Sequence, residues 1–145
     1  MTPQTIEQVL AQQGHGFFQT SGASMEPMLH HHKSTVVLEA VRRPLRRMEV
    51  ALYRRPDGLY VLHRVVGVTK DGYRIRGDNC TWDEIVPQEW ILGVMTGYYP
   101  DESGRFISCD SRDYRAYLAT LPLRYLRLRA RHLAGRVRRF LTRRR

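Results

Sequence analysis

The chain has 145 residues, 42% of them hydrophobic, and a formal net charge of +10. That length fits one domain with a real core. The longest mostly apolar run, Trp90 to Tyr99, is about half the roughly 20 residues that a membrane-spanning helix needs. Met1 to Gln13 lacks the basic start and apolar run of a secretory leader, so the default expectation is a cytoplasmic protein. The two cysteines, Cys80 and Cys109, form no disulfide framework and no metal-ligand spacing, and are expected to be reduced thiols. The charge is segregated. All 14 acidic residues lie at or before Asp113, where 13 basic residues leave the body at −1, whereas residues 114–145 hold 11 arginines and no acid.

Thr5 to Gln12 reads as a short helix, with Ile6, Val9 and Leu10 on one face and Gly14 and Gly16 ending it. Between Phe17 and Cys109 the pattern is one of short strands and turns. Strands are expected at Thr35 to Leu38, Glu49 to Tyr53, Leu59 to Val68, Tyr73 to Arg76, Trp90 to Tyr98 and Arg105 to Ser108. Arg55-Pro56-Asp57-Gly58, Lys70-Asp71-Gly72 and Asp101 to Gly104 supply turn signals between them. This spacing predicts a mainly β domain over residues 1–110, built as a compact, curled antiparallel sheet. Residues 111–145 form a basic helical extension, in which Tyr114, Leu118, Leu121, Tyr125 and Leu128 keep a helical period. Pro122 predicts a kink or a new start, since it lacks an N–H and crowds the preceding turn. Past Gly135 the chain is mostly arginine and is expected to fray.

Two segments carry candidate chemistry. Ser24 lies in Ser21-Gly22-Ala23-Ser24-Met25-Glu26-Pro27, where Gly22 permits an unusual turn that aims a hydroxyl outward and leaves backbone N–H groups free. His63 lies in an apolar strand and supplies a base for such a hydroxyl. Taken singly, a Ser-Gly turn and a strand histidine are more often structural. His30-His31-His32 invites a metal reading, but adjacent side chains do not converge on one ion, and a polar loop beside the site is preferred. No metal and no cofactor is expected.

Ser21-Gly22-Ala23-Ser24-Met25-Glu26-Pro27, His63-Arg64-Val65-Val66-Gly67 and Gly77-Asp78-Asn79 together resemble the three ordered motifs of the signal peptidase I superfamily, which also holds the self-cleaving SOS-response repressors. The resemblance covers roughly Phe17 to Tyr99 and implies a signal-peptidase-like β core and a serine endopeptidase. The superfamily uses lysine or histidine as base. Lys33 and Lys70 do not match the lysine position, so the chain resembles the Ser–His branch, with Ser24 as nucleophile and His63 as base. A neutral imidazole is a competent base at pH 7 without strong tuning. The resemblance further implies that Asp78, or Asp83 close behind it, orients His63; for the oxyanion, the Ser24 backbone N–H is the natural donor. Gly22 stands where some relatives carry a second donor hydroxyl. Ser108-Cys109-Asp110-Ser111-Arg112 is like a further signal-peptidase motif but falls about thirty residues too late.

Unlike those relatives, the protein is expected to lack an N-terminal transmembrane helix, and, with 16 residues before the β region, to lack a repressor's DNA-binding domain. The expected partner is a peptide or protein precursor cut after small residues. Two other classes stay open: a non-catalytic module of the same fold that holds a peptide strand on its sheet edge, and a protein driven by its basic tail. For the tail, packing before Pro122 combined with peripheral contact to an anionic membrane through residues 122–145 is expected, with nucleic acid the less favoured partner.

Overall fold

The computed structural model describes residues 2–143. Helix α1 spans Ile6–Gln13. Thr5 caps it by accepting from the Gln8 N–H, and the Gln8 side chain accepts from the Thr5 N–H, so both free donors are satisfied at once. Gly14 closes it at φ +77°, a left-handed conformation suited to glycine.

Eight strands follow: β1 His15–Gln19, β2 Thr35–Ala40, β3 Val50–Arg54, β4 Tyr60–Thr69, β5 Gly72–Arg76, β6 Glu84–Val86, β7 Ile91–Tyr99 and β8 Ile107–Ser108. They form one antiparallel sheet in the order β1-β2-β7-β3-β4-β5-β6, with β8 paired to β7. The mainly β expectation holds, and the six expected strands form within a few residues of their bounds. Two strands had no separate signal. β1 begins in the glycine pair that reads as a helix stop, and β6 has only three residues, too few to show alternation. Register shifts at Val37/Leu38, Leu52/Tyr53 and Val65/Gly67 bend and twist the sheet.

Two apolar clusters fill the fold. One gathers Met25, Met28 and Leu29 of the β1–β2 loop with Leu10, Val36 and Tyr114. The other gathers Tyr53, Val65, Ile75 and Val86 across the central strands. Helix α2, Arg112–Thr142, starts from a Ser111 cap and joins the first cluster through Tyr114. It runs as one helix through Pro122, so of the two expected outcomes there the new helix start does not occur. Leu121 is fully buried before the proline, and the Tyr125 ring sits under the Arg76 guanidinium after it, so contacts on both sides hold the helix across that position. Packing accordingly continues past Pro122 to Leu128. The helix also continues beyond Gly135 to Thr142, while Arg144 and Arg145 of the expected frayed end lie outside the described residues.

One ion pair joins these parts. Arg64 on β4 and Asp78, just after β5, are both fully buried. Arg64 donates to both carboxylate oxygens of Asp78, at 2.7 and 2.8 Å. It also donates to the Met48 carbonyl and to the Tyr114 hydroxyl, each at 2.7 Å. The Tyr117 hydroxyl donates to Asp78 at 2.8 Å, and Tyr125 approaches at 3.4 Å. The pair is therefore well satisfied, and removing one member strands the other in the core. Asp78→Ala is expected to destabilise the fold by about 3–5 kcal/mol, read as a shift in the urea midpoint. Asp113→Ala removes the exposed partner of Arg105 and the acidic residue of the first turn of α2, and is expected to cost less than about 1 kcal/mol, a far smaller shift of that midpoint.

Candidate active site

The β1–β2 loop that carries Ser24 is held at both ends. The Thr20 N–H donates to the Ser34 carbonyl, and the His32 N–H donates to the Thr20 carbonyl. Met25, Met28 and Leu29 anchor its middle in the core. Gly22 adopts φ +84° and donates its N–H to His31 Nδ1 at 2.6 Å. His31 thus buttresses the turn ahead of the serine, the polar-loop role expected for the histidine tract.

A second loop, Gly77-Asp78-Asn79-Cys80, clasps this turn. The Asn79 N–H donates to the Ser24 carbonyl at 2.9 Å, and the Asn79 side-chain amide donates to the Ala23 carbonyl at 3.1 Å. Gly77 sits where the two loops and β4 meet. A Cβ there would lie 2.6 Å from the Ser24 carbonyl oxygen and 3.2 Å from His63 Nε2. Only glycine allows so close an approach.

His63 reaches the serine from β4. Neighbouring residues on a strand point to opposite faces, so His63 and Arg64 diverge: Arg64 enters the buried ion pair and His63 faces the loops. His63 Nε2 lies 2.9 Å from Ser24 Oγ. The imidazole is buried, 4% exposed, with the Trp82 ring edge-on at 5.9 Å and the Tyr53 ring at 6.5 Å. Burial drives its pKa down to about 4, so it is neutral at pH 7. The nearby charges of Glu84 and Asp78 oppose that shift, and that of Arg55 adds to it.

Neither expected carboxylate orients the ring. Asp78 is committed to Arg64 and the helix tyrosines. Asp83 pairs with Arg76 and Arg74, and the Arg76 hydrogen bond holds its carboxyl below the usual range. His63 Nδ1 is buried and has no hydrogen-bond partner among the described residues. The acidic group that most raises the His63 pKa is instead Glu84. It accepts two hydrogen bonds from Arg55, each at 2.8 Å, and one from the Tyr53 hydroxyl at 2.7 Å. The arrangement is a Ser–His pair in a field set by Glu84 and Arg55.

The pair opens into a cleft of about 380 Å³ lined by Phe18, Met25, Leu29, Leu38, Leu62 and Trp82, among others. The Ser24 N–H makes no hydrogen bond among the described residues, and Ser24 is one of the residues lining this space. Cys80, whose sulfur is 4.0 Å from the Ser24 carbonyl oxygen, is a poor alternative nucleophile, because burial pushes its thiol pKa up. Among the described residues no group of three histidine, cysteine or acidic side chains is placed to hold a metal ion. Asn79 belongs to a motif already visible in the sequence. The contributions of Trp82, Arg55 and Glu84 had no sequence signal, since each depends on strand pairing. Comparison with protein-family models, with curated proteins and with solved structures finds no match for this chain.

His63 titration tests this description. In an NMR pH series its imidazole is expected to stay neutral down to about pH 4, and Glu84→Gln is expected to move the transition lower still. Because the unfolded chain takes up this proton near pH 6.5 and the native state only near pH 4, the His63 contribution makes stability fall as pH drops through that window. It is level above the window and level again below it. His63→Gln should flatten that part of the stability–pH curve.

Proposed function

We propose that the protein is a serine endopeptidase working through a Ser24–His63 dyad, as in the signal peptidase I superfamily that its three motifs resemble. The observation that carries this reading is the 2.9 Å contact between Ser24 Oγ and the Nε2 of a buried, neutral His63 at the wall of an apolar cleft. In this mechanism Ser24 Oγ attacks the scissile carbonyl carbon as His63 Nε2 takes its proton. The oxyanion that forms meets the Ser24 N–H. The imidazolium then gives its proton to the leaving amine, and water, deprotonated by the same imidazole, releases the acyl group. Glu84 stabilises the transient positive charge on the ring, which has no hydrogen-bonded carboxylate of its own.

The cleft supports a peptide substrate. β1 is an outer strand of the sheet, and Phe18, Gln19 and Thr20 line the cleft, so an extended chain laid there gains backbone pairing while its side chains enter apolar space. Small apolar residues before the cut suit a cleft walled by Met25, Leu29 and Leu38. A cytoplasmic precursor or leader peptide is the proposed substrate class, consistent with Cys80 and Cys109 being free thiols. The unpartnered Nδ1 of His63 favours a second reading, in which the same cleft holds a peptide and does not cut it.

A quenched-fluorescent peptide library separates the two. The dyad predicts cleavage that falls by at least about a thousandfold in Ser24→Ala and in His63→Ala. The acid limb of its kcat/KM profile should lie below the usual histidine range. Binding of library peptides without turnover would establish the second reading, and cleavage surviving in Ser24→Ala would remove the dyad from the mechanism.

A further inference from the structure

Helix α2 has two apolar faces, and only one is covered by the body. Tyr114, Leu121 and Tyr125 turn inward. On the opposite side Ala119, Leu123, Leu126, Ala130, Leu133 and Val137 follow one another at alternating steps of four and three residues, and all are exposed. Leu126 is 64% exposed and Leu133 is 61% exposed. At ~100° per residue these positions share a single stripe. Arginines border it on both sides, Arg127 and Arg138 along one edge and Arg129 and Arg136 along the other. No acidic residue occurs between Tyr114 and the end of the chain. No helix among the described residues is long and apolar enough to cross a membrane.

We propose that this face of α2 docks the protein on an anionic lipid surface, with the helix lying in the plane of the headgroups. A stripe of leucines flanked by arginines lets the apolar side chains enter the acyl boundary while the guanidinium groups reach back to phosphates. Nucleic acid would answer the arginines but leave the leucines in water. Pairing with a second copy would set arginine against arginine with no acid to relieve it. Alanine at Ala119 and Ala130 would also leave shallow contacts in a helix–helix seam, whereas a lipid boundary needs no complementary shape. The body, at −1, adds nothing to the attraction, so the helix itself selects the surface.

Flotation of the full chain tests this, with vesicles of phosphatidylcholine mixed with phosphatidylglycerol set against phosphatidylcholine alone. The protein is expected to float with the mixed vesicles, weakly or not at all with the neutral ones, and less as salt is raised. The combined variant Leu126→Gln, Leu133→Gln, Val137→Gln keeps every arginine and uses a good helix former at positions the core does not use. It should retain the wild-type helical circular dichroism yet bind at least roughly tenfold more weakly. Failure of the wild type to float would overturn the proposal. So would equal binding by the variant, a salt-resistant dimer that the variant dissolves, or tighter capture of duplex RNA that the variant does not weaken.

Discussion

The buried pair of Arg64 and Asp78 is the constraint on which the rest of the molecule depends. Two charges with no access to water are costly unless each is fully hydrogen-bonded, and here the satisfaction comes from three separate parts of the chain. Arg64 belongs to β4, the strand that presents His63 one residue earlier. Asp78 belongs to the loop whose Asn79 donates to the Ser24 carbonyl. Tyr114 and Tyr117 come from α2 and close the network from the other side. Fixing the pair therefore fixes the strand under His63, the loop against Ser24 and the seat of the helix together. An apolar substitute of similar volume would fill the space without specifying the loop's position, so the ionic network is read here as a positioning device.

On the active face the same strand solves a different problem. His63 is buried by the rings of Trp82 and Tyr53, which keeps the imidazole neutral, and no carboxylate holds its second nitrogen. Its orientation comes from packing, from the Ser24 hydroxyl and from the close approach that Gly77 allows. Electrostatic support is long-range, from a Glu84 whose charge is partly balanced by Arg55. In the proposed mechanism a transient imidazolium would be stabilised by that field and not by a direct contact.

The sequence made part of this legible. Alternation and turn residues located most of the sheet, because those signals are local. Ser24 and His63 stood out because a turn serine and a strand histidine are chemically marked, and the structure brings them together. The partner of Asp78 was not legible. Gly-Asp-Asn reads equally well as a turn or as a support for histidine, and what decides is a guanidinium on a neighbouring strand and hydroxyls on a helix more than thirty residues away. Pro122 was half legible for a related reason: a local rule allowed a kink or a new start, and with tertiary contacts on both sides of the proline no new start occurs. The exposed stripe of α2 was hidden behind the stronger inward period of its tyrosines and leucines.

The central claim is that Ser24, activated by a neutral His63, is the reactive group of the cleft. A fluorophosphonate tests it without knowledge of the natural substrate, since attack by the activated oxygen forms a stable O–P bond and expels fluoride. Intact-mass and fragment-mass analysis should find one phosphonyl group per chain, located on Ser24, with labelling slowed strongly in His63→Ala. An unlabelled wild-type chain, a label on another residue, or a rate indifferent to His63 would contradict the account.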